Sequence, residues 1–289
     1  MIVESFLEAP RLRPIHNTLP TRKIIAGYID AKISRFSPKV FLRIDTPRYT
    51  IKTAQDGHDL SQVLQLRHEV FYGERQQQRA LEMDMDRFDW LCDHLLIVEK
   101  ETDRCVGTYR LSSSIFNNSF YSSTEFHMGA IAALPGNKLE LGRACLHRDY
   151  RNTYTVALLW KGVGRYIQLT RSDYVFGCSS IATTALDEIA ALHTYMKWRY
   201  PCPEQLQVTP RRKFRISGLG AYAEFIAAFQ DNQSRCVSKQ IPPLLKFYLK
   251  SGAMICGEPA LDRAFACVDF FTLLETSRMD NRIEKKFSS

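Results

Sequence analysis

The chain has 289 residues, 45% of them hydrophobic and 24% charged, which is an ordinary composition for a globular protein. Its formal net charge is +8. No apolar run approaches the roughly 20 residues of a membrane-spanning helix, and the first residues lack the charged start and apolar core of a secretory signal. We therefore expect a cytoplasmic protein that does not span a membrane.

The eight cysteines are scattered, with no CxxC pair and no Cys/His cluster at zinc-binding spacing. In a chain of this length without a secretory signal, such cysteines are usually free, buried thiols in a reducing compartment. We therefore expect free thiols and no metal site.

The positive charge is concentrated near the N-terminus. Between Arg11 and Arg48 the sequence has nine cations and two acids, so we predict a basic N-terminal extension over residues 1–48 and a main domain over residues 49–289. Such charge favours anionic lipid, an acidic protein or nucleic acid as a partner, and a solvated leader without a partner remains open. No readout motif supports nucleic acid, so we expect none.

An arginine interrupts the first clear helix pattern. Residues 60–72 show an apolar stripe at helical spacing, with Asp59 as the candidate N-cap, and Arg67 falls inside the stripe. An inward arginine needs an anionic partner or ligand, unless its long side chain reaches the surface. The sequence leaves both alternatives open.

An acidic and aromatic loop at 82–94 contains Asp86 and Asp89. The loop lacks the glycine and the ligand spacing of a calcium site, so we expect its carboxylates to bind a substrate amine or to form ion pairs. The segments at 95–99 and 106–111 then read as two strands joined by a turn at 102–103, which predicts a hairpin.

The stretch at 139–151 begins as a strand with Glu140 and Arg143, continues as a basic turn and leads into an amphipathic helix at about 156–170. In a regular strand, residues three apart point to opposite faces. If Glu140 and Arg143 line one pocket, the strand must bulge, and Gly142 is the expected position. Strand and helix patterns mix along the chain, which predicts an α/β or α+β fold with one main sheet.

Four segments, in this order, carry a family resemblance: Leu66-Arg67 with Val70-Phe71-Tyr72, Phe88-Asp89 with Cys92-Asp93-His94-Leu95-Leu96, Val106-Gly107-Thr108-Tyr109-Arg110-Leu111, and Glu140-Leu141-Gly142-Arg143-Ala144-Cys145-Leu146-His147. With shorter matches they cover about residues 49–275. The chain resembles the ornithine–acyl carrier protein N-acyltransferases, a branch of the GNAT fold. That family is distantly related to the acyl-homoserine-lactone synthases and the N-acyl amino acid synthases.

The resemblance implies a GNAT-like central mixed β-sheet flanked by helices. It also implies transfer of a fatty acyl group, typically 3-hydroxyacyl, from the thioester of an acyl carrier protein to the α-amine of ornithine. The donor arrives on the carrier's phosphopantetheine, so no permanently bound cofactor is implied. The product would be a lyso-ornithine lipid, and we expect peripheral contact with the inner membrane face through residues 1–48.

An α-amine with a pKa of about 8 is mostly protonated at neutral pH, so a base must remove a proton before the amine attacks a thioester. The candidate catalytic residues are Glu140, as the base acting directly or through a water, and Arg143. The alternative is that Glu140 only grips the amine or fixes Arg143. The candidate acceptor-binding residues that match the family motifs are Arg67, Phe71, Asp86, Asp89 and Arg110, with the two aspartates for amines and Arg67 or Arg110 for the carboxylate.

One departure from the wider GNAT pattern concerns the donor. GNAT acetyltransferases bind the coenzyme A pyrophosphate on an Arg/Gln-x-x-Gly-x-Gly/Ala loop, but Tyr154 and Val156 fill both small positions here. Bulky side chains hinder the close backbone approach that such a loop needs. An acyl carrier protein presents a single phosphate and no pyrophosphate, so the loss of a pyrophosphate-binding loop fits a carrier-protein donor. Binding of coenzyme A by other means remains open.

We expect the turn after the central strand to face the phosphopantetheine through Cys145, His147, Arg148 and Arg151. A backbone amide near Cys145 is the expected oxyanion donor, and Cys145 itself is not expected to act as a nucleophile because no base stands beside it. Three other hypotheses remain: an N-acyl amino acid synthase with another amine acceptor, a coenzyme A-dependent acetyltransferase, and a non-catalytic lipid or carrier-protein binding module.

Overall fold

The computed structural model describes residues 19–74, 82–227 and 234–278. In chain order its helices and strands are α1 (Leu19–Ile33), β1 (Arg43–Asp45), β2 (Tyr49–Thr53), α2 (Gly57–His68), β3 (Asp93–Glu99), β4 (Arg104–Ser113), β5 (Phe126–His127), α3 (Gly129–Ala133), β6 (Asn137–Leu146), α4 (Thr153–Thr170), β7 (Ser172–Ile181), α5 (Leu186–Arg199), β8 (Thr209–Pro210), α6 (Leu219–Ala227), α7 (Ser234–Gln240), α8 (Pro243–Lys250), β9 (Met254–Ile255), β10 (Ala260–Asp262) and β11 (Cys267–Glu275).

The described residues fall into two compact units. The first unit combines those up to Asn118 with Leu141–Arg171, and the second combines Ser119–Glu140 with those from Ser172 onward. The chain passes from the second unit to the first inside β6, between residues 140 and 141.

In the first unit, β1, β2, β3 and β4 form an antiparallel run, and β6 follows β4 in the strand order. Helices α2 and α4 pack on these strands because each buries one apolar side. Val63 and Leu66 of α2 lie in one buried cluster with Leu96 of β3. This packing fixes which side of α2 points into the unit.

In the second unit, β6 pairs in parallel with β7 as far as Glu140, and β7 is antiparallel to β11. Strands β9 and β10 each pair with β11, while β5 and β8 form a separate antiparallel pair. Helix α5 contacts both α6 and α7. The aromatic rings of Phe126, Phe176 and Phe271 lie together in one buried cluster.

Within the described ranges the strands make a nine-stranded mixed sheet, in the order β1-β2-β3-β4-β6-β7-β11-β10 with β9 also beside β11. The sheet is flanked by helices, so the predicted α/β class with one main mixed sheet is confirmed. The predicted hairpin at 95–111 is confirmed as β3 and β4.

Two predicted helix starts are wrong by a few residues, because the caps differ. Helix α2 begins at Gly57, and Asp56 is its N-cap, accepting a hydrogen bond from the Asp59 backbone N–H. Asp59 instead forms an ion pair with Lys52. Helix α4 begins at residue 153, earlier than expected, because the Asn152 side chain caps it.

The expectation of free thiols is wrong for two cysteines. Cys202 and Cys256 form a disulfide, with their Cα atoms 5.1 Å apart. The local backbone joins the two segments, because Pro201 and Ile255 form a β-bridge and Ile255 N–H donates to the Tyr200 carbonyl. Free thiols are confirmed at Cys92, Cys105, Cys145, Cys178 and Cys267, and the Cys236 side chain lies outside the described set.

Of the predicted basic extension, residues 1–18 lie outside the described ranges, and the boundary at residue 48 stays a prediction. Helix α1 contributes Ile29 and Ile33 to a buried cluster with Leu60 and Leu64 of α2. Among the residues that the structure describes, none of the helices has both the length and the apolar character needed to cross a bilayer.

Close packing at Gly162 of α4 provides a test of this arrangement. A Cβ atom there would lie 2.7 Å from Leu95 Cδ2 and 2.8 Å from Ile51 Cγ2, and both residues are completely buried. We expect Gly162→Ala to lower the free energy of unfolding by about 1–3 kcal/mol because the core is overpacked. The matched variant Gly27→Ala, inside α1 with nothing within 4 Å of the new atom, should instead stabilise by up to about 1 kcal/mol. Chemical denaturation measures both, and equal effects would contradict the packing.

Candidate active site

Arg67 lies at the centre of the first unit's buried charges. It sits on the apolar side of α2 beside Val63 and Leu64 and is completely buried. Its guanidinium contacts two aspartates, with Nη2 2.7 Å from Asp84 Oδ2 and Nη1 2.7 Å from Asp89 Oδ1. The inward orientation is therefore correct, and the alternative of a surface-reaching arginine is wrong.

Three arginines and three aspartates form one ion-pair cluster, which we call the Arg–Asp cluster: Arg67, Arg110, Arg143, Asp84, Asp86 and Asp89. Arg110 Nη1 lies 2.8 Å from Asp86 Oδ1 and 3.2 Å from Asp89 Oδ1. Arg143 Nη2 lies 3.1 Å from Asp86 Oδ2, and its Nε lies 3.4 Å from Asp84 Oδ2. The two signs are balanced, which is what burial of charges requires.

The backbone of the acidic loop fixes the aspartates. Asp86 is the N-cap of a short 3-10 helix at Arg87–Trp90, and Asp89 returns the bond by accepting from the Asp86 backbone N–H at 2.7 Å. The Tyr72 hydroxyl donates to Asp84 Oδ1 at 3.0 Å. These local bonds hold the carboxylates in place before any ligand binds.

The arginines control the charge of the carboxylates. Burial alone would raise the pKa of Asp84, but Arg67 and Arg143 outweigh it and hold that pKa well below its usual range. Burial likewise opposes the effect of Arg110 and Arg143 on Asp86, whose pKa is also lowered. An aspartate whose pKa is lower in the folded state than its unfolded value of about 3.9 stabilises the fold at any pH above about 4. This stabilisation is lost as the pH falls from about 4 toward the folded-state pKa.

A buried histidine supports the cluster without adding charge. His94 Nε2 lies 2.9 Å from the Asp89 carbonyl oxygen, so this nitrogen is the donor. Burial lowers the pKa of His94 to about 4, although the Asp89 carboxylate opposes the shift. His94 is therefore neutral at physiological pH.

The strand irregularity predicted near Gly142 is confirmed, one residue further on. Pairing of β6 with β7 ends at Glu140, and Arg143 has a left-handed backbone with φ of 49°. That conformation is uncommon for a residue other than glycine. Asp86 and Arg143 are the most exposed members of the Arg–Asp cluster, each with 15% of its side chain accessible.

Glu140 belongs to the second unit and is 4% exposed. Its carboxylate accepts two consecutive backbone hydrogen bonds, from Tyr121 N–H at 2.7 Å and from Ser122 N–H at 2.6 Å. Charge-assisted bonds of this kind are short and strong, and two of them fix the direction of the carboxylate. The backbone hydrogen bonds of Glu140 lie within the second unit, and the ion pairs of Arg143 with Asp84 and Asp86 lie within the first.

The residues expected to face the donor differ in exposure. Cys145 is buried, and burial raises the pKa of its thiol far above the usual range, which argues against a thiolate nucleophile. His147 is buried, and its Nε2 lies 2.9 Å from Glu69 Oε1. Arg148 and Arg151 are exposed, and Arg151 forms an ion pair with Glu74.

Asp84 was not among the predicted site residues, and Phe71 lies outside the ion-pair cluster. Phe71 is half-buried and packs on the cluster of Val63, Leu66 and Leu96. The signal for Asp84 was present, because Met83, Asp84, Met85 and Asp86 alternate between apolar and acidic side chains.

Residues 66–161 match the family model of the acetyltransferase (GNAT) domain. The matched segment includes β3, β4 and β6 of the mixed sheet.

Two bacterial relatives define the family further. The chain is 31% identical over 260 residues to the L-ornithine N(alpha)-acyltransferase of Brucella abortus strain 2308, covering 83% of this chain and 86% of the relative. It is 29% identical over 247 residues to the enzyme of the same name from Agrobacterium fabrum strain C58, covering 80% and 82%. The chain belongs to the L-ornithine N(alpha)-acyltransferase family, as the sequence motifs predicted.

Among solved structures, a CoA-dependent acyl-homoserine lactone synthase with SAM and isopentyl-CoA is similar to this chain with a TM-score of 0.47 and 16% identity. The similarity covers 79% of this chain and 82% of that one.

The Arg–Asp cluster predicts a large and specific stability effect. Arg67→Met keeps the side-chain length but leaves Asp84 and Asp89 without their main counter-charge in the core. Breaking a buried pair by removing one partner costs about 3–5 kcal/mol, so the unfolding free energy should fall by that amount.

The control is Arg43→Met, which breaks the exposed pair of Arg43 and Asp45. Exposed pairs contribute about 0–1 kcal/mol, so this variant should unfold almost like the wild type. Denaturant titration compares the two variants, and a similar loss in both would show that burial of the cluster does not matter.

Proposed function

We propose that the protein transfers a fatty acyl group, typically 3-hydroxyacyl, from the phosphopantetheine thioester of an acyl carrier protein to the α-amine of L-ornithine. The product is a lyso-ornithine lipid. The acceptor is supported by the names of the relatives, which share about four fifths of the chain. The observation that carries the chemistry is the fixed, buried carboxylate of Glu140.

Glu140 is suited to the proton transfer because two backbone amides hold its carboxylate in one orientation. The α-ammonium of the acceptor gives one proton to Glu140, directly or through a water, and the free amine attacks the thioester carbonyl carbon. A C–N bond forms and the C–S bond breaks. The second amine proton goes to the leaving thiolate, which departs as the thiol of the carrier.

The roles of Arg67, Phe71, Asp86, Asp89 and Arg110 in holding the acceptor remain part of the proposal. The different burial of these side chains separates their proposed roles. Arg67 and Asp89 are completely buried and contact each other, which favours a positioning role for both. Asp86 keeps part of its side chain accessible and is the better candidate for direct contact with an amine.

The carrier protein as donor is supported by the turn before α4. Arg148 and Arg151 are exposed there, and a cationic surface attracts an acidic partner or a phosphate. Tyr154, in the first turn of α4, is 54% exposed and occupies a position where a pyrophosphate loop needs a small residue. No cofactor is needed for the transfer, and the donor itself is a substrate.

Peripheral membrane contact completes the proposal, because the product is amphiphilic. The cations of residues 1–48 are the candidates for binding anionic headgroups. Two of the nine cations, Arg11 and Arg13, belong to residues 1–18, which lie outside the described ranges.

The proposed reaction is tested with the purified full-length protein, acyl thioesters of varied chain length on acyl carrier protein or on coenzyme A, and a panel of amino acids. We expect mass spectrometry to find N-acylornithine, formed faster from the carrier protein than from coenzyme A. A product with a different amino acid only would indicate an N-acyl amino acid synthase with another acceptor. Product from coenzyme A alone would remove the carrier protein from the proposal.

Glu140→Gln tests the proposed base. We expect kcat to fall by about 10²–10⁴-fold, since that is the usual contribution of a general base. A matched control exists at Asp93, another buried carboxylate that accepts two consecutive backbone hydrogen bonds, from Lys39 N–H at 2.8 Å and Val40 N–H at 3.0 Å. Asp93→Asn should lose comparable structural bonds and retain kcat. Equal kcat losses in the two variants would assign Glu140 a structural role.

A further inference from the structure

A second group of buried carboxylates lies in the second unit: Glu125, Asp262 and Asp269. Each offers an oxygen, and these oxygens lie within 4.8 Å of one another. The three residues are 1%, 7% and 3% exposed, respectively. Burying several carboxylates together is unfavourable unless a counter-charge or protons neutralise them.

Two of the three are held by their own surroundings. Asp262 Oδ1 accepts from Ala264 N–H at 2.8 Å and from Phe265 N–H at 3.1 Å, which caps the turn between β10 and β11. Asp269 on β11 accepts a hydrogen bond from the Ser180 hydroxyl of β7. The strands and the turn therefore fix both carboxylates.

Glu125 is different. Neither of its carboxylate oxygens accepts a hydrogen bond from the described residues, although the Tyr121 hydroxyl and the Cys178 thiol lie near enough to favour its charged form. Its backbone is nevertheless fixed, because Glu125 N–H donates to Ser122 and its carbonyl accepts from Arg211 N–H at 2.7 Å. Burial, together with the neighbouring Asp269 and Asp262, raises the pKa of Glu125 well above its usual range. The side chain is thus buried where no described residue donates a hydrogen bond to its carboxylate oxygens.

The contrast with the Arg–Asp cluster points to the missing component. There, three arginines face three aspartates, and the buried charges are balanced within the chain. Glu125 forms no ion pair with a lysine or arginine in the part of the chain that the structure describes. A cation from outside the chain would supply the donor and the charge that Glu125 lacks.

The surroundings of Glu125 indicate which cation. One short segment, residues 121–125, carries both Glu125 and the two backbone amides that hold Glu140. The Cys178 thiol lies 3.4 Å from Ser122 Oγ and also beside Glu125, so the two glutamates share neighbours. An alkylammonium donates three hydrogen bonds of about 2.7–2.9 Å and fits among three oxygens spaced as these are.

We propose that Glu125, with Asp262 and Asp269, binds the side-chain ammonium of a diamino acid acceptor, while Glu140 serves its α-amine. This inference rests on the proposed function and adds the site that selects the acceptor. A neutral amino acid of the same length leaves Glu125 buried without a donor. An analogue that leaves a buried polar group unpaired loses more binding free energy than a single contact contributes, so such a site rejects it strongly.

The test compares L-ornithine with L-norvaline, which has the same carbon chain and lacks only the side-chain amine. For the wild type we expect kcat/KM to favour ornithine by about 10²-fold or more. Glu125→Gln should lower that preference at least about tenfold, mainly by raising KM for ornithine, and should change the norvaline value little. Glu258→Gln, an exposed acid of the same unit, is the control and should leave the preference unchanged.

The possible outcomes separate the two proposals. If the wild type acylates ornithine and norvaline equally well, or if Glu125→Gln keeps the full preference, the ammonium site is wrong while acyl transfer stands. If the wild type acylates no amino acid, the proposed function fails and the ammonium site fails with it. Elemental analysis of the purified protein supplies a further outcome: one divalent metal per chain, lost in Glu125→Gln with the preference intact, would assign the three carboxylates to a metal ion.

Discussion

The first unit depends on one buried interaction, the contact of the Arg67 guanidinium with Asp84 and Asp89. An arginine without accessible surface is tolerated in a core only when carboxylates neutralise it at close range. Neutralisation of Arg67 therefore holds the acidic loop against α2. Arg110 of β4 also pairs with Asp89, which connects the loop to that strand. Helix, loop and strand are thus joined by charge as well as by apolar packing.

The two groups of buried carboxylates illustrate two solutions to the same physical problem. In the Arg–Asp cluster the three arginines pair with the three aspartates, so the buried charges are balanced within the chain. Around Glu125, the described part of the chain provides carboxylates but no hydrogen bond to the glutamate's oxygens. An incomplete buried site of this kind is a natural place for a cationic substrate group, because binding completes it.

Local patterns in the sequence predicted the local structure. The strand pair at 95–111 and the helix expected at about 156–170 follow from patterns over a few residues, and the structure has both, with the helix beginning at residue 153. For Arg67 the pattern left an inward and a surface position open, and the structure has it buried. The family motifs predicted the class of enzyme. What the sequence did not reveal depends on distant contacts: the disulfide of Cys202 and Cys256 and the meeting of Glu125 with β10 and β11. Single residues far apart in the chain have no periodicity that marks them as neighbours.

The most direct test of the account is the position of the acyl group in the product formed from ornithine. If Glu140 activates the α-amine while carboxylates around Glu125 hold the side-chain ammonium, only the α-nitrogen can attack the thioester. Tandem mass spectrometry of the product should then find the acyl group on the α-nitrogen alone. Acylation of the side-chain nitrogen, or a mixture of the two products, would contradict the account.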